Sequence, residues 1–138
     1  EAVAFQADLQ TPAAIGPMFK ETITAIGRPH IAVNTVGKVL KKPILDISED
    51  EFDSMFAINS KTAFFFLKEA GQHVQANGKI VTIVTSLLGS YTPFYSTYAG
   101  SKAPVEHFTR AASKEFGERG ISVNAIGPGR MDTPFFYG

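Results

Sequence analysis

The chain has 138 residues, 13 of them Lys or Arg and 13 Asp or Glu, so its formal net charge is zero with neutral histidines. That balance argues against a nucleic-acid-binding arm or an anionic-membrane anchor, and 44% apolar against 19% charged residues describes one ordinary core, not a disordered chain. With no cysteine there is no disulfide framework, no thiolate metal site and no cysteine nucleophile, which points to the cytoplasm; no apolar run reaches the roughly 18 residues of a membrane-spanning helix.

The sequence opens at Glu1 in an apolar run, Val3-Ala4-Phe5, that reads as a short strand ending at Asp8; an opening of this kind, without Met, is read as a cut chain. Thr11-Pro12 supplies an N-cap and a proline at the first helical position. The helix it predicts turns Ile15, Phe19, Ile23 and Ile26 inward and ends at Gly27. Ile31-Ala32-Val33 is the next strand and runs into Asn34-Thr35-Val36-Gly37, after which a loop passes through Pro43.

Ser48-Glu49-Asp50-Glu51 fits a capping box, in which the serine oxygen accepts a first-turn amide and the glutamate reaches back to the cap. The long helix it opens places Phe52, Met55, Phe56, Asn59, Ala63, Phe66, Leu67 and Ala70 on one face. Asn59 is the polar exception on that stripe and needs a partner. Asn77-Gly78 marks a turn, and Ile80-Val81-Thr82-Ile83-Val84 reads as a strand buried on both faces, with Ser86 at its carboxyl end. Ser96 or Thr97 is expected to cap a third helix with Val105, Phe108, Ala112 and Phe116 inward, kinked at Pro104 and ended by Gly120. Ile121 to Ile126 is the last strand, turned away by Pro128-Gly129. Alternating strands and helices joined by short loops predict a parallel α/β sheet in a single domain over residues 1–138, with function at the carboxyl ends of the strands.

Tyr98-Ala99-Gly100-Ser101-Lys102 sets a phenol and an ammonium four residues apart on one helix face. A nearby ammonium favours the phenolate and draws the tyrosine pKa down from about 10, so that the group exchanges a proton with a carbonyl or an alcohol. The same spacing also occurs in plain surface pairs. His30, His73 and His107 form no ligand cluster, so no metal site is expected, and Ser86 lacks the Gly-x-Ser-x-Gly elbow of a serine hydrolase.

With Asn34 and Gly37, Asn59, Ser86, the Tyr98/Lys102 pair, and Pro128-Gly129 followed by Thr133 in this order, the chain resembles the short-chain dehydrogenase/reductase family along nearly its whole length. The resemblance implies a doubly wound, Rossmann-like parallel sheet, incomplete as given. It implies a hydride transfer between NAD or NADP and a small-molecule carbonyl/alcohol substrate. Tyr98 would be the acid/base, Lys102 would lower its pKa and hold the nicotinamide ribose, Ser86 would bind the substrate oxygen, and Asn59 would order a water in a proton relay. Asp8 and Leu9 would contact adenine, Asn34 and Gly37 stand for the Asn-Asn-Ala-Gly element, Pro128 and Gly129 belong to the cofactor loop, and Thr133 would bind the carboxamide.

Ser86 lies twelve residues before Tyr98, one short of the commonest family spacing; Thr85 restores the count, while the Ser86-Leu87-Leu88-Gly89 run fits the family's local pattern and carries the assignment. No Gly-x-x-x-Gly-x-Gly turn for the diphosphate occurs in these residues, so the chain alone is expected to be a partial dinucleotide-binding domain that folds poorly and holds cofactor weakly. In the order 3-2-1-4-5-6 the strand at Val3 would be the third, separated from the fourth by two strands outside this sequence. A homodimer or homotetramer paired through the helices beginning near Ser48 and Ser96 is expected, with no nucleic-acid or membrane partner. The alternative reading is a non-catalytic remnant that keeps the site residues without binding cofactor.

Overall fold

A computed structural model describes residues 2–133 and 135. Three parallel strands, β1 (Ile31–Asn34), β2 (Lys79–Ile83) and β3 (Ser122–Ile126), form one sheet in the order β1-β2-β3. The register aligns Ala32 with Ile80 and Ile80 with Val123. The helices are α1 (Ile15–Ile26), α2 (Glu49–Phe56), α3 (Thr62–His73) and α4 (Ser96–Glu115). This is a Rossmann-like α/β fold. None of the described helices is long and apolar enough to cross a membrane.

The larger of two apolar clusters holds the helices to the sheet: Ile15 and Phe19 of α1, Phe66, Leu67 and Ala70 of α3 and Ala112 of α4 bury against Ala32, Ile80 and Val123. In a parallel sheet, aligned residues share a face, so these contacts place the helices on one side. The other side stays open among the described residues, with Ile31 60%, Val33 50% and Ile126 51% exposed. The prediction that β2 is buried on both faces is corrected accordingly: Ile80 and Thr82 are buried, while Val81 and Ile83 are half-buried. Val3-Ala4-Phe5 is not a strand. Its expected place in the sheet is two strands removed from β1, so β1 offers it no hydrogen-bonding edge.

Several local signals act as read. The Ser48 capping box is complete, with Glu51 N donating to Ser48 Oγ at 3.2 Å and Ser48 N to Glu51 Oε2 at 2.8 Å. Gly27 takes the positive φ, 85°, that ends α1, whereas Gly120, φ 68°, ends a separate 3₁₀ turn, Gly117–Arg119, that follows α4. Thr11 makes no side-chain cap; it precedes a single 3₁₀ turn, Pro12–Ala14, that leads into α1. Helix α4 is preceded by Tyr95 with no side-chain cap, and it runs through Pro104 to Glu115, because Gly100 leaves the proline ring's neighbouring turn uncrowded.

The predicted long helix after Ser48 is interrupted. Between α2 and α3, Ala57–Lys61 widens into a π turn, closed by Thr62 N donating to Ala57 O. Such bulges shift every following side chain around the helix axis and recur at functional sites. This one contains Asn59.

Candidate active site

Tyr98 and Lys102 occupy the first two turns of α4, where that helix meets the carboxyl ends of β1 and β2, and they are 7% and 3% exposed. The Lys102 ammonium donates to Ile83 O at 2.9 Å and to Val36 O at 3.3 Å, carbonyls at the ends of those two strands. Burial draws its pKa down to about 8. The Tyr98 phenol is raised above its ordinary value by burial, an effect opposed by a hydrogen bond with the Thr85 hydroxyl and reinforced by Tyr95. The expected lowering by Lys102 is absent because the ammonium is committed to backbone carbonyls while the phenol sits among rings: Tyr95 and Phe135 each lie 6.3 Å from it, centroid to centroid.

Thr85, not Ser86, meets the phenol. Thr85 is buried in extended backbone, φ −153° and ψ 145°, and its hydroxyl accepts Leu87 N at 3.2 Å, starting the tight turn Ser86–Gly89. A hydroxyl both donates and accepts, so the one group serves the turn and Tyr98. Ser86 begins that turn as an exposed residue, and its amide donates to Pro128 O at 3.0 Å. The residue count to Tyr98 is the sequence signal that points to Thr85, and the local Ser-Leu-Leu-Gly pattern the one that points to Ser86.

Asn59, fully buried, has found its partners. Its Nδ2 donates to Lys38 O and to Ser101 Oγ, both at 2.9 Å, and its Oδ1 accepts Lys38 N at 2.9 Å. The side chain thereby clamps the loop after β1 to α4. Gly37 lies in the same contact: a Cβ there would stand 3.0 Å from Lys102 Nζ and 3.1 Å from Asn59 Oδ1. Asn59, Gly37, Lys102, Tyr98 and Thr85 thus form one connected group.

The remaining candidates lie around it. Asn34 is buried and its Oδ1 accepts Val36 N at 3.0 Å, so its side chain shapes the turn that delivers Gly37. Asp8 folds its carboxylate back to Gln10 N at 3.0 Å, and the Leu9 carbonyl accepts the Thr62 hydroxyl at 2.6 Å, which ties this segment to α3 just past the π turn. Pro128 holds Ser86 through its carbonyl, Gly129 is exposed, and Thr133 is half-buried with its amide donating to Met131 O at 3.0 Å.

The enoyl-(acyl carrier protein) reductase family model matches residues 1–138. The short chain dehydrogenase claC of Passalora fulva is 34% identical over 138 residues, covering 99% of this chain and 52% of that protein. Trihydroxynaphthalene reductase PfmaI of Pestalotiopsis fici is 32% identical, covering 99% and 49%. Among solved structures, a putative dehydrogenase from Burkholderia cenocepacia with bound NADP superposes with a TM-score of 0.97 at 67% identity, over 99% of this chain and 52% of that one. The chain thus spans about half the length of the relatives it matches. Sequence, sheet topology and these likenesses agree: the chain belongs to the short-chain dehydrogenase/reductase family.

Proposed function

We propose that the protein is an NAD(P)-dependent oxidoreductase that moves a hydride between a nicotinamide and a carbonyl/alcohol substrate, with Tyr98 as proton donor and acceptor. The observation that carries this reading is the Tyr98 phenol, buried, hydrogen-bonded to the Thr85 hydroxyl and one turn from the Lys102 ammonium at the carboxyl edge of a parallel sheet. Burial keeps the phenol protonated at neutral pH, which is the form that reduction of a carbonyl consumes.

The residues present fit one end of a nicotinamide cofactor. Gly37 leaves a surface without a Cβ beside the Lys102 ammonium, and a buried ammonium is a suitable donor to ribose hydroxyls. Asp8, Leu9, Asn34, Pro128, Gly129 and Thr133 are proposed to complete the adenine and carboxamide contacts. The nicotinamide supplies or receives the hydride. Thr85 is proposed to hold the substrate oxygen with its single hydroxyl proton, taking the role expected of Ser86; without substrate that proton is directed at the Tyr98 oxygen. Lys102 is proposed to hold the ribose, and Asn59 fixes the loop at Gly37 and Lys38 against α4. The NADP in the Burkholderia protein favours NADP over NAD.

The same reading includes a homodimer or homotetramer, since Phe52 and Phe64 are 45% and 48% exposed and Phe64 packs edge-on to Phe108 at 5.2 Å across α3 and α4. Light scattering at micromolar concentration tests it, and a monomer refutes it. The activity is tested by following NADPH and NADH absorbance with aldehydes, ketones and aryl ketones. Consumption that depends on the carbonyl supports the proposal; none with either cofactor across the panel overturns it.

A further inference from the structure

Ser101 stands between the two catalytic candidates in sequence and has no solvent exposure. Its Oγ accepts Asn59 Nδ2 at 2.9 Å and donates to Tyr98 O at 3.0 Å. Its own carbonyl accepts the Ser60 hydroxyl. Asn59 and Ser60 are adjacent members of the π turn. In an unbroken α-helix, neighbouring side chains point about 100° apart, whereas here two in succession reach one residue of α4. The bulge and Ser101 therefore form a single joint between two helices.

The joint is mechanically tied to the site. One carboxamide hydrogen of Asn59 goes to Ser101 and the other to Lys38 O, while Oδ1 takes Lys38 N, so the orientation of the amide is fixed at both ends. That Oδ1 and the Lys102 ammonium border the same space above Gly37. Without the serine hydroxyl, one buried Asn59 hydrogen loses its acceptor, and an unpaired buried donor reorients or draws in water. Lys102 and the loop that Asn59 holds would then share a looser arrangement.

We propose that Ser101 is a positioning residue: it acts through Asn59 to fix the loop after β1 against the helix turn that carries Tyr98 and Lys102. The proposal rests on the oxidoreductase reading for its kinetic consequence and on geometry alone for its structural one.

The test uses the longest natural form of the protein with Ser101→Ala, Asn59→Ala, the double variant, and the milder Ser60→Ala. Turnover in Ser101→Ala is expected to fall about tenfold or more, the scale of a misplaced reacting group, with KM for the carbonyl little changed. Its pH–rate profile should shift in the same direction as that of Asn59→Ala, and the double variant should be no slower than Asn59→Ala alone. In parallel, hydrogen exchange of the Asn59 side-chain amide should quicken about tenfold in Ser101→Ala, the equivalent of one lost hydrogen bond. Wild-type kcat and pH profile in a folded Ser101→Ala, or strictly additive losses in the double variant, overturn the proposal. If Ser101→Ala does not fold, Ser60→Ala must show the same profile shift or the proposal fails. Should the wild-type protein prove inactive, the oxidoreductase reading falls separately, and unchanged Asn59 exchange in Ser101→Ala then overturns the joint itself.

Discussion

A Cβ on Gly37 would stand 3.0 Å from the Lys102 ammonium nitrogen, so the bare Cα of Gly37 is the floor on which that ammonium rests. The glycine is explained here by close approach, since it has no positive φ. Gly37→Ala must shift Nζ or Asn59 Oδ1 by a few tenths of an ångström, against the bonds that hold them. We expect a loss of about 1–3 kcal/mol, the usual cost of overpacking, together with weaker cofactor binding. Urea unfolding and cofactor titration check this, and a variant unchanged in both would show that the ammonium moves freely.

Burial of Lys102 makes stability depend on pH in a defined sense. Its folded pKa of about 8 lies below the ordinary 10.5, so between those values the unfolded chain holds more protons and stability rises with pH. Below about pH 8 the folded protein bears the full cost of an enclosed ammonium, on the order of 3 kcal/mol. Tyr98, raised by burial, acts oppositely above about pH 10, where the folded state keeps a proton that the unfolded state loses. Relative to Lys102→Met, the wild-type protein should therefore gain about 2–3 kcal/mol between pH 7 and pH 10. Denaturant melts across that range decide it, and a flat difference contradicts the burial account.

Thr85→Val and Ser86→Ala separate the two hydroxyls at the end of β2. Removing the one that touches Tyr98 should lower kcat about a hundredfold or more, the scale for losing a donor aimed at developing oxyanion charge. Removing the exposed one should leave kcat within about twofold. Kinetics of the two variants side by side are sufficient, and the reverse order would return the role to Ser86.

What could be read in the sequence was what adjacent residues determine. The capping box at Ser48, the three paired strands to within a residue at either end, and the need of Asn59 for partners all follow from local spacing, and the structure supplies each. Three features depend on distant chain. Val3-Ala4-Phe5 has strand composition, but strand state requires a neighbour to pair with. The π turn at Ala57–Lys61 contains no helix breaker; its residues bond to Ser101, 41 and 42 positions away. The upward shift at Tyr98 is not legible in the sequence, which shows the charge four residues on and not the depth of burial or the carbonyls that occupy that charge.

Pro104 deprives α4 of the amide that would bond Gly100 O. Pro104→Ala should restore that bond and raise stability by about 1 kcal/mol, the helical gain exceeding the lost rigidity of the unfolded chain. Thermal unfolding measures it; a lower Tm would mean that the ring's packing outweighs the missing bond.

Tyr98→Phe tests with the least disturbance whether the Tyr98 oxygen moves the proton, because only that oxygen is removed from a buried ring. In the longest natural form of the protein, carbonyl-dependent NADPH oxidation by Tyr98→Phe should fall at least about a thousandfold, within the range attributed to a lost general acid, while NADPH affinity stays at the wild-type value. Turnover within about tenfold of wild type would contradict the account.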